Sequence, residues 1–352
     1  MKRRFEACSR RLFLNASVRA GAGLMLVHIM PSWLIAGQKH TRAYRERSLF
    51  TMGSIATVCA YGDTTRQIDS AINKVIEEFN RLDRLLSVYM PTSEISRING
   101  SAGSDSAPVS SEVVTLIREM KVLGEQTGGA FDMTVEPLMR LWGFRNTPRS
   151  ELPSDAEISA ALDAVGNNHV FVDESEERVG LDHPASRIDS GGWGVGYAVD
   201  RAVAILKAEG IGSALVNHSG DARTFGIPEE QEGWAVAIPN PEYPDEMLKS
   251  VRLQDCAIST SGDYERFVTI DSMRYGHLMN VRNGHPETTV SSVTIFAGTS
   301  LTADVMSTAS ACSFEMLSRL ESLPGLSYIV VRNGPEGLNV REFLRGGVQA
   351  YE

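Results

Sequence analysis

Asp304 and Thr308 stand four residues apart in Thr302-Ala303-Asp304-Val305-Met306-Ser307-Thr308, so on a helix they share one face. A carboxylate and a hydroxyl so placed offer oxygen ligands to Mg2+, which keeps further positions open for phosphate oxygens. A capping turn explains the same residues, with Thr302 as cap and Asp304 near the positive end of the helix, and spacing alone favours that explanation. A second cluster, Arg187-Ile188-Asp189-Ser190-Gly191-Gly192-Trp193-Gly194-Val195-Gly196-Tyr197, runs straight into a helical segment. Glycines at such a turn let backbone N–H groups approach phosphate oxygens, although most glycine-rich turns only turn. Its glycine spacing is not that of a dinucleotide-binding fingerprint. A third cluster, Ser259-Thr260-Ser261-Gly262-Asp263-Tyr264, reads as a polar hairpin turn between two strands. The fourth holds His277 in Arg274-Tyr275-Gly276-His277-Leu278, followed by the turn signal Asn283-Gly284-His285-Pro286. Its imidazole suits either a general base or a hydrogen-bonded structural role. Together the four clusters suit a phosphate-bearing ligand and a divalent cation.

These residues need a scaffold. Ile68, Ile72, Val75, Phe79, Leu82 and Leu86 recur at helical spacing and predict an amphipathic helix over 65–87. Further helices are expected at 111–126 (capped by Ser110 or Ser111), 155–165, 197–209, 303–313 and 314–322. Strands are expected at 50–61, 169–172, 213–216, 234–238, 257–260, 267–270, 290–296 and 326–331. No Pro/Ser/Gly linker or fixed-period repeat divides the chain after its first residues. The pattern predicts one α+β catalytic unit.

The 352 residues are 42% hydrophobic and 22% charged, enough to bury a substantial core. A net charge of −10 argues against nucleic acid or anionic lipid as partner. The four cysteines, Cys8, Cys59, Cys256 and Cys312, show no zinc-ligand spacing. A Cys256–Cys312 disulfide is one reading outside the cytosol; buried free thiols are the preferred one. The N-terminus has Lys2-Arg3-Arg4, then Ser9-Arg10-Arg11-Leu12-Phe13-Leu14, then an apolar stretch from Ala20 to Ala36. That layout predicts a twin-arginine-type export signal over 1–37 and a periplasmic unit over 38–352. A membrane anchor ranks second, because the apolar stretch is short and interrupted by His28, Pro31 and Ser32.

From about residue 50 to 332 the chain resembles the ApbE family of FAD:protein FMN transferases, with the family's motifs in order. They are Met52-Gly53-Ser54; Leu86-Ser87-Val88-Tyr89 with Ser93-Glu94-Ile95 and Ile98-Asn99; and Thr127-Gly128-Gly129-Ala130-Phe131-Asp132-Met133-Thr134-Val135 running to Leu141-Trp142-Gly143-Phe144. The block from Asp189 to Asp200, Asn217-His218-Ser219-Gly220-Asp221, Thr260–Tyr264 and Val293-Thr294…Ala303-Asp304…Thr308 complete the series.

The resemblance implies an ApbE-like unit of mixed or antiparallel sheets flanked by helices. It implies Mg2+-dependent transfer of FMN from FAD to a threonine hydroxyl of an acceptor protein, releasing AMP. By similarity, Met52, Tyr89, Ala130, Phe131, Asp132, Asp189, Val195 and Leu278 line the FAD site. Gly192, through its backbone, with Asp304, Ser307 and Thr308, surrounds Mg2+, and His277 takes the threonine proton or positions the acceptor. Family members flavinylate membrane redox subunits, and some exported ones resemble partners of nitrous-oxide-reductase maturation. The chain departs from the family at Asn280 (usually Asp), Val281 (Pro), Asn283 (Thr), Val195 (often Lys) and Ser307 (Asp in some members). Two other readings stay open: a non-catalytic periplasmic FAD-binding protein and a Mg2+-dependent FAD pyrophosphatase.

Overall fold

The computed structural model describes residues 28–29, 42–145, 149–243, 245–334, 337–346 and 348–351. The export-signal residues, apart from 28–29, lie outside the described residues. No described helix is long and apolar enough to cross a membrane.

The frame is an eight-stranded sheet whose strands lie side by side in chain order. They are β1 (Ala43–Thr51), β2 (Ser54–Gly62), β3 (Ser213–His218), β4 (Asp221–Phe225), β5 (Ala257–Gly262), β6 (Ser292–Ala297), β7 (Ser327–Gly334) and β8 (Gly337–Phe343). Every neighbouring pair is antiparallel. The fold is therefore α+β, as the sequence predicts. Where one strand is expected over 50–61, the chain forms a hairpin, with Thr51 paired to Ser54 across Met52-Gly53. Both turn residues have positive φ, 45° at Met52 and 78° at Gly53, the geometry that tight hairpins require. The turn hid because a methionine occupies a position usually given to Asn, Asp or Gly.

Both faces of the sheet are covered, and side-chain alternation divides the core in two. Ala56, Val58, Ala60, Val293, Ile295 and Val330 face the helices. Cys59, Tyr61, Leu215, Ile258, Phe296 and Ile329 face a second, four-stranded sheet in which Trp234–Pro239 and Met247–Leu253 are central and His28–Ile29 and Val348–Tyr351 lie at the edges. Burial on both sides explains why β2 and β3 read as continuous apolar runs rather than alternating ones.

Four helices matter for the site: α1 (Thr65–Leu86), α2 (Ser111–Gln126), α3 (Gly194–Ala208) and α4 (Ser300–Cys312). The stripe from Ile68 to Leu86 on α1 is fully buried. Arg81 of α1 grips Glu112 of α2 through two bonds of 2.7 and 2.8 Å, and Tyr197 of α3 donates to the same carboxylate at 2.7 Å. A satellite core of Leu138, Met139, Trp142, Ile158, Ile270 and Met279 supports the segment around His277. Cys59, Cys256 and Cys312 are free and buried, so Cys256 and Cys312 form no disulfide.

Candidate active site

The glycine-rich turn and α4 meet residue for residue. Gly192 and Gly196 are four apart at the start of α3, opposite Thr308 and Asp304, which are four apart on α4. A Cβ on Gly192 would lie 3.2 Å from the Thr308 hydroxyl. A Cβ on Gly196 would lie 2.7 Å from the Ser300 carbonyl oxygen and 2.8 Å from the Asp304 Cβ. The Gly196 N–H donates to Asp304 Oδ2 at 3.1 Å. Glycine is thus required at 196 by close approach, not by conformation. Gly196→Ala should push α4 outward, cost about 1–3 kcal/mol, and misplace Asp304; a lowered melting temperature together with lowered turnover would check this.

The N-terminus of α4 is fixed from two sides. Thr299, not Thr302, is the cap, its hydroxyl accepting the Thr302 N–H at 3.2 Å. Asp200 of α3 accepts the N–H groups of Ser300 and Leu301 at 2.8 and 2.9 Å and pairs with Arg223 at 2.6 Å. Asp200 lies one helical turn beyond Gly196, so the glycine block and Asp304 are locked in register by a carboxylate whose role the sequence did not reveal.

Beneath α4, the strand expected over 257–260 runs on through Gly262, so Ser261 and Gly262 are strand rather than turn. Ser259 and Ser261 point at Ser307, hydroxyl to hydroxyl, at 2.9 Å each, and Ser307 also donates to the Asp304 carbonyl at 3.0 Å. Ser261 reaches Thr308 at 3.5 Å. The cluster read as a turn because it is polar; it is polar because it faces hydroxyls rather than apolar side chains. Ser307 is committed to this network.

Buried carboxyls converge here. Asp221, held by Ser259 and Asp304, is pushed up to about 7, chiefly by burial and further by Asp200. Asp304 is raised well above the carboxylate range by burial and by Asp221. Glu265 is raised to about 8, again by burial first and Asp221 second. Among the described residues no three His, Cys, Asp or Glu side chains gather as a metal-ligand set. The side chains that meet here are of another kind, the Asp304 carboxylate and the Thr308 hydroxyl, and their hard oxygens fit Mg2+. The raised carboxyls also fit, since buried negative charges without a cation are costly. Raised folded-state values mean the folded protein holds more protons than the unfolded chain, so this stabilisation is full below about pH 4 and is lost as pH climbs toward 8. The metal-free protein should therefore melt progressively lower from pH 5 to 8, and Asp304→Asn should flatten that slope in a calorimetric pH series.

The second half of the site is built around Arg145, which sequence reasoning missed. Its guanidinium bonds Glu136 at 2.7 Å, the Tyr89 hydroxyl at 2.9 Å, and Asp189. Glu136 is buried and raised by burial and then by Asp189, which leaves Arg145 as its main counter-charge. Nothing in the local sequence marks Arg145; the three partners come from separate segments. Asp189 also accepts the Gly191 N–H at 2.9 Å, and its backbone carbonyl accepts the buried Trp193 indole at 2.7 Å. These bonds set the glycine turn.

The remaining sequence-predicted residues spread around this centre. Phe131 is buried and sits 3.6 Å from where a Gly192 Cβ would be, with Ala130 buried beside it. Asp132 is spent tying its loop to a distant turn, accepting from the Thr134 N–H at 2.8 Å and the Asn167 N–H at 2.8 Å. Tyr89 is exposed, Met52 occupies its hairpin turn, and Val195 is half-buried at the start of α3.

His277 feels the charges of Asp189 and Arg145, which places it beside the same centre. Its pKa is lowered to about 4, first by burial and then by Arg266, so the ring is neutral at pH 7. Its Nδ1 is buried without a hydrogen-bond partner. Leu278 is buried next to it, its carbonyl accepting the Glu287 N–H at 2.7 Å. The departures downstream are turn-builders: Asn280 Oδ1 accepts the Arg282 N–H at 3.0 Å and Asn283 Oδ1 the His285 N–H at 2.9 Å. Gly284, at φ 74°, is pinned by the Trp142 indole on its carbonyl at 2.8 Å.

Known proteins resemble this chain in sequence and in fold. The family model described as ApbE family matches residues 52–324. An FAD:protein FMN transferase of Salmonella typhimurium is 31% identical over 259 residues, 72% of this chain and 74% of that protein. One from Vibrio cholerae is 31% identical over 247 residues, 69% and 72% of the two chains. Among solved structures, the ApbE protein of Thermotoga maritima superimposes with a TM-score of 0.76 at 29% identity, covering 85% of this chain and 97% of that one. The apo flavinyl transferase ApbE of Pseudomonas stutzeri gives 0.76 at 28% identity, covering 87% and 96%. With the family model spanning residues 52–324 and relatives 31% identical over about 70% of the chain, this chain belongs to the ApbE family.

Proposed function

We propose that this protein is an FAD:protein FMN transferase that moves FMN from FAD onto a threonine hydroxyl of an acceptor protein, aided by Mg2+ and releasing AMP. The observation that carries the reading is the pairing of Gly192 and Gly196 with Thr308 and Asp304, beside a neutral His277. A glycine turn suited to phosphate meets two hard-oxygen side chains there, and His277 feels the charge of Asp189 in that same turn.

In this reading Asp304, Thr308 and the Gly192 backbone would hold the cation, and a Mg2+ bound there would supply charge neutralisation for the pyrophosphate and the departing AMP oxygen. The N–H groups at the start of α3 add donors and the positive end of the helix. Asp189, fixed by Arg145, shapes the flavin side together with Phe131 and Tyr89. The acceptor hydroxyl loses its proton to His277, whose neutral ring is ready to accept at pH 7. The hydroxyl oxygen bonds the FMN phosphorus, and the bond from that phosphorus to the bridging oxygen breaks. AMP leaves with that oxygen. The N-terminal basic and apolar segments support a periplasmic site of action.

Nucleotide chromatography separates this reading from its rivals. The transferase releases AMP only when acceptor is present, without free FMN. AMP and free FMN in equal amounts without acceptor would establish hydrolysis instead, and intact FAD with every acceptor would establish a binder.

A further inference from the structure

Arg145 closes the segment Leu141-Trp142-Gly143-Phe144-Arg145, and its place follows from how the short helix Glu136–Leu141 ends. The Phe144 N–H reaches back to the Met139 carbonyl at 2.9 Å and the Gly143 N–H to the Arg140 carbonyl at 3.1 Å. Those two bonds, with Gly143 at φ 81°, form the helix-ending motif that turns the chain back on itself. Arg145 thereby returns to Glu136, the first residue of the same helix, and the two side chains are 9% and 3% exposed. Each guanidinium nitrogen then serves a different segment. Nε bonds Glu136, Nη1 donates to the Tyr89 hydroxyl and Nη2 to Asp189.

The partners differ in how much they need Arg145. Asp189 sits in the glycine turn, which keeps bonds of its own through the Gly191 N–H and the Trp193 indole. The backbone beneath Tyr89 is also braced. Ser93 and Ser96 donate to the Ser87 carbonyl at 2.7 and 3.3 Å, and Ser190 of the glycine turn donates to the Leu86 carbonyl at 2.9 Å. The Tyr89 side chain has no such support. It is 63% exposed, and among the described residues Arg145 alone bonds its hydroxyl. An exposed tyrosine keeps its rotamer freedom unless its far end is held.

We infer that Arg145 is a positioning residue: through the Tyr89 hydroxyl it holds that ring as a pre-ordered surface for the flavin, in fixed relation to the glycine turn that carries Asp189. The inference rests on the transferase reading and deepens it.

The geometry suits arginine and no other cation. Three acceptors from three segments match a planar fork, whereas a lysine ammonium is a single point on a flexible stem. Arg145 cannot swing away freely, since Asp189 would lose its cation and Glu136 would keep only the exposed Arg140. The guanidinium carbon lies 5.6 Å from the Tyr89 ring centre, so the ring is pinned at its hydroxyl end while most of its surface stays open. A ring ordered before the ligand arrives lowers the entropy cost of stacking against it.

The test is FAD binding by titration calorimetry without acceptor, on the whole protein, for Arg145→Lys, Tyr89→Phe and the double variant. Tyr89→Phe alters an exposed side chain and Arg145→Lys keeps the buried positive charge, so folding is retained and is checked by melting. The positioning role expects each single variant to raise the FAD Kd about fivefold, the effect of one freed side chain. The double variant should be no worse than either, because both changes break the same bond. Bound-flavin fluorescence should rise in Arg145→Lys, since a phenol held against a flavin quenches it. An Arg145→Lys protein that melts lower yet binds FAD as the wild type does, equally quenched, overturns the inference by making Arg145 purely structural. An additive loss of about 25-fold in the double variant overturns it too, by showing that Arg145 and Tyr89 act on FAD separately. Absence of FAD binding by the wild-type protein overturns the transferase reading and this inference together.

Discussion

Asp304→Asn is expected to slow FMN transfer about a thousandfold, equivalent to about 4 kcal/mol of transition-state stabilisation, while leaving the folded protein as stable as the wild type or more so. The two halves of this expectation come from the same geometry. The asparagine carbonyl can still accept the Gly196 N–H, so the contact between α3 and α4 survives. What disappears is the charge, whose burial, together with the repulsion from Asp221, raises Asp304. A structural carboxylate would behave in the opposite way, because removing a paired buried charge destabilises strongly. Melting curves with and without Mg2+ check it: wild type should gain stability on metal addition and the variant should not. A variant that melts lower in the absence of metal, yet transfers normally, would show that Asp304 is part of the scaffold only.

His277→Ala should lower kcat by a factor of 10^2 to 10^4, the span typical of a lost general base, with FAD affinity within a few-fold. Because burial holds the ring near pKa 4, the wild-type rate should stay flat from pH 6 to 8 with respect to this group. An acid limb should appear only as pH falls toward that value. The reasoning is one of sign: a lowered imidazole pKa keeps the base free, at the expense of intrinsic basicity. Turnover at the wild-type rate in His277→Ala would remove the catalytic assignment. An acid limb centred near 6.5 in the wild type would show that the ring is far better solvated than its buried Nδ1 indicates.

How much of this was legible in the sequence depended on whether the cause was local. The stripe from Ile68 to Leu86 announced α1 because burial on one helical face leaves a period. The Asp304–Thr308 spacing was also legible, since four residues make one turn whatever lies opposite. What lay opposite was not legible. That Gly192 and Gly196 fit against Thr308 and Asp304 depends on two helices brought together by a sheet whose strands are far apart in the chain. Arg145 and Asp200 were missed for the same reason: each acts on partners in other segments. Errors of type arose where local chemistry misled. Ser259–Gly262 looks like a turn by composition, yet it is a strand whose polar residues answer Ser307 and Thr294. Thr302 looked like the helix cap, but Thr299 starts the helix one turn earlier. Met52 hid a hairpin turn by carrying a side chain into left-handed backbone.

The most direct test of the central claim is the intact mass of an acceptor domain after incubation with this protein and FAD. The account predicts a gain of one FMN on the acceptor in Mg2+, no gain in EDTA, and no gain when the acceptor threonine is changed to alanine. An adduct that forms equally in EDTA, or one that persists on the alanine acceptor, would contradict it.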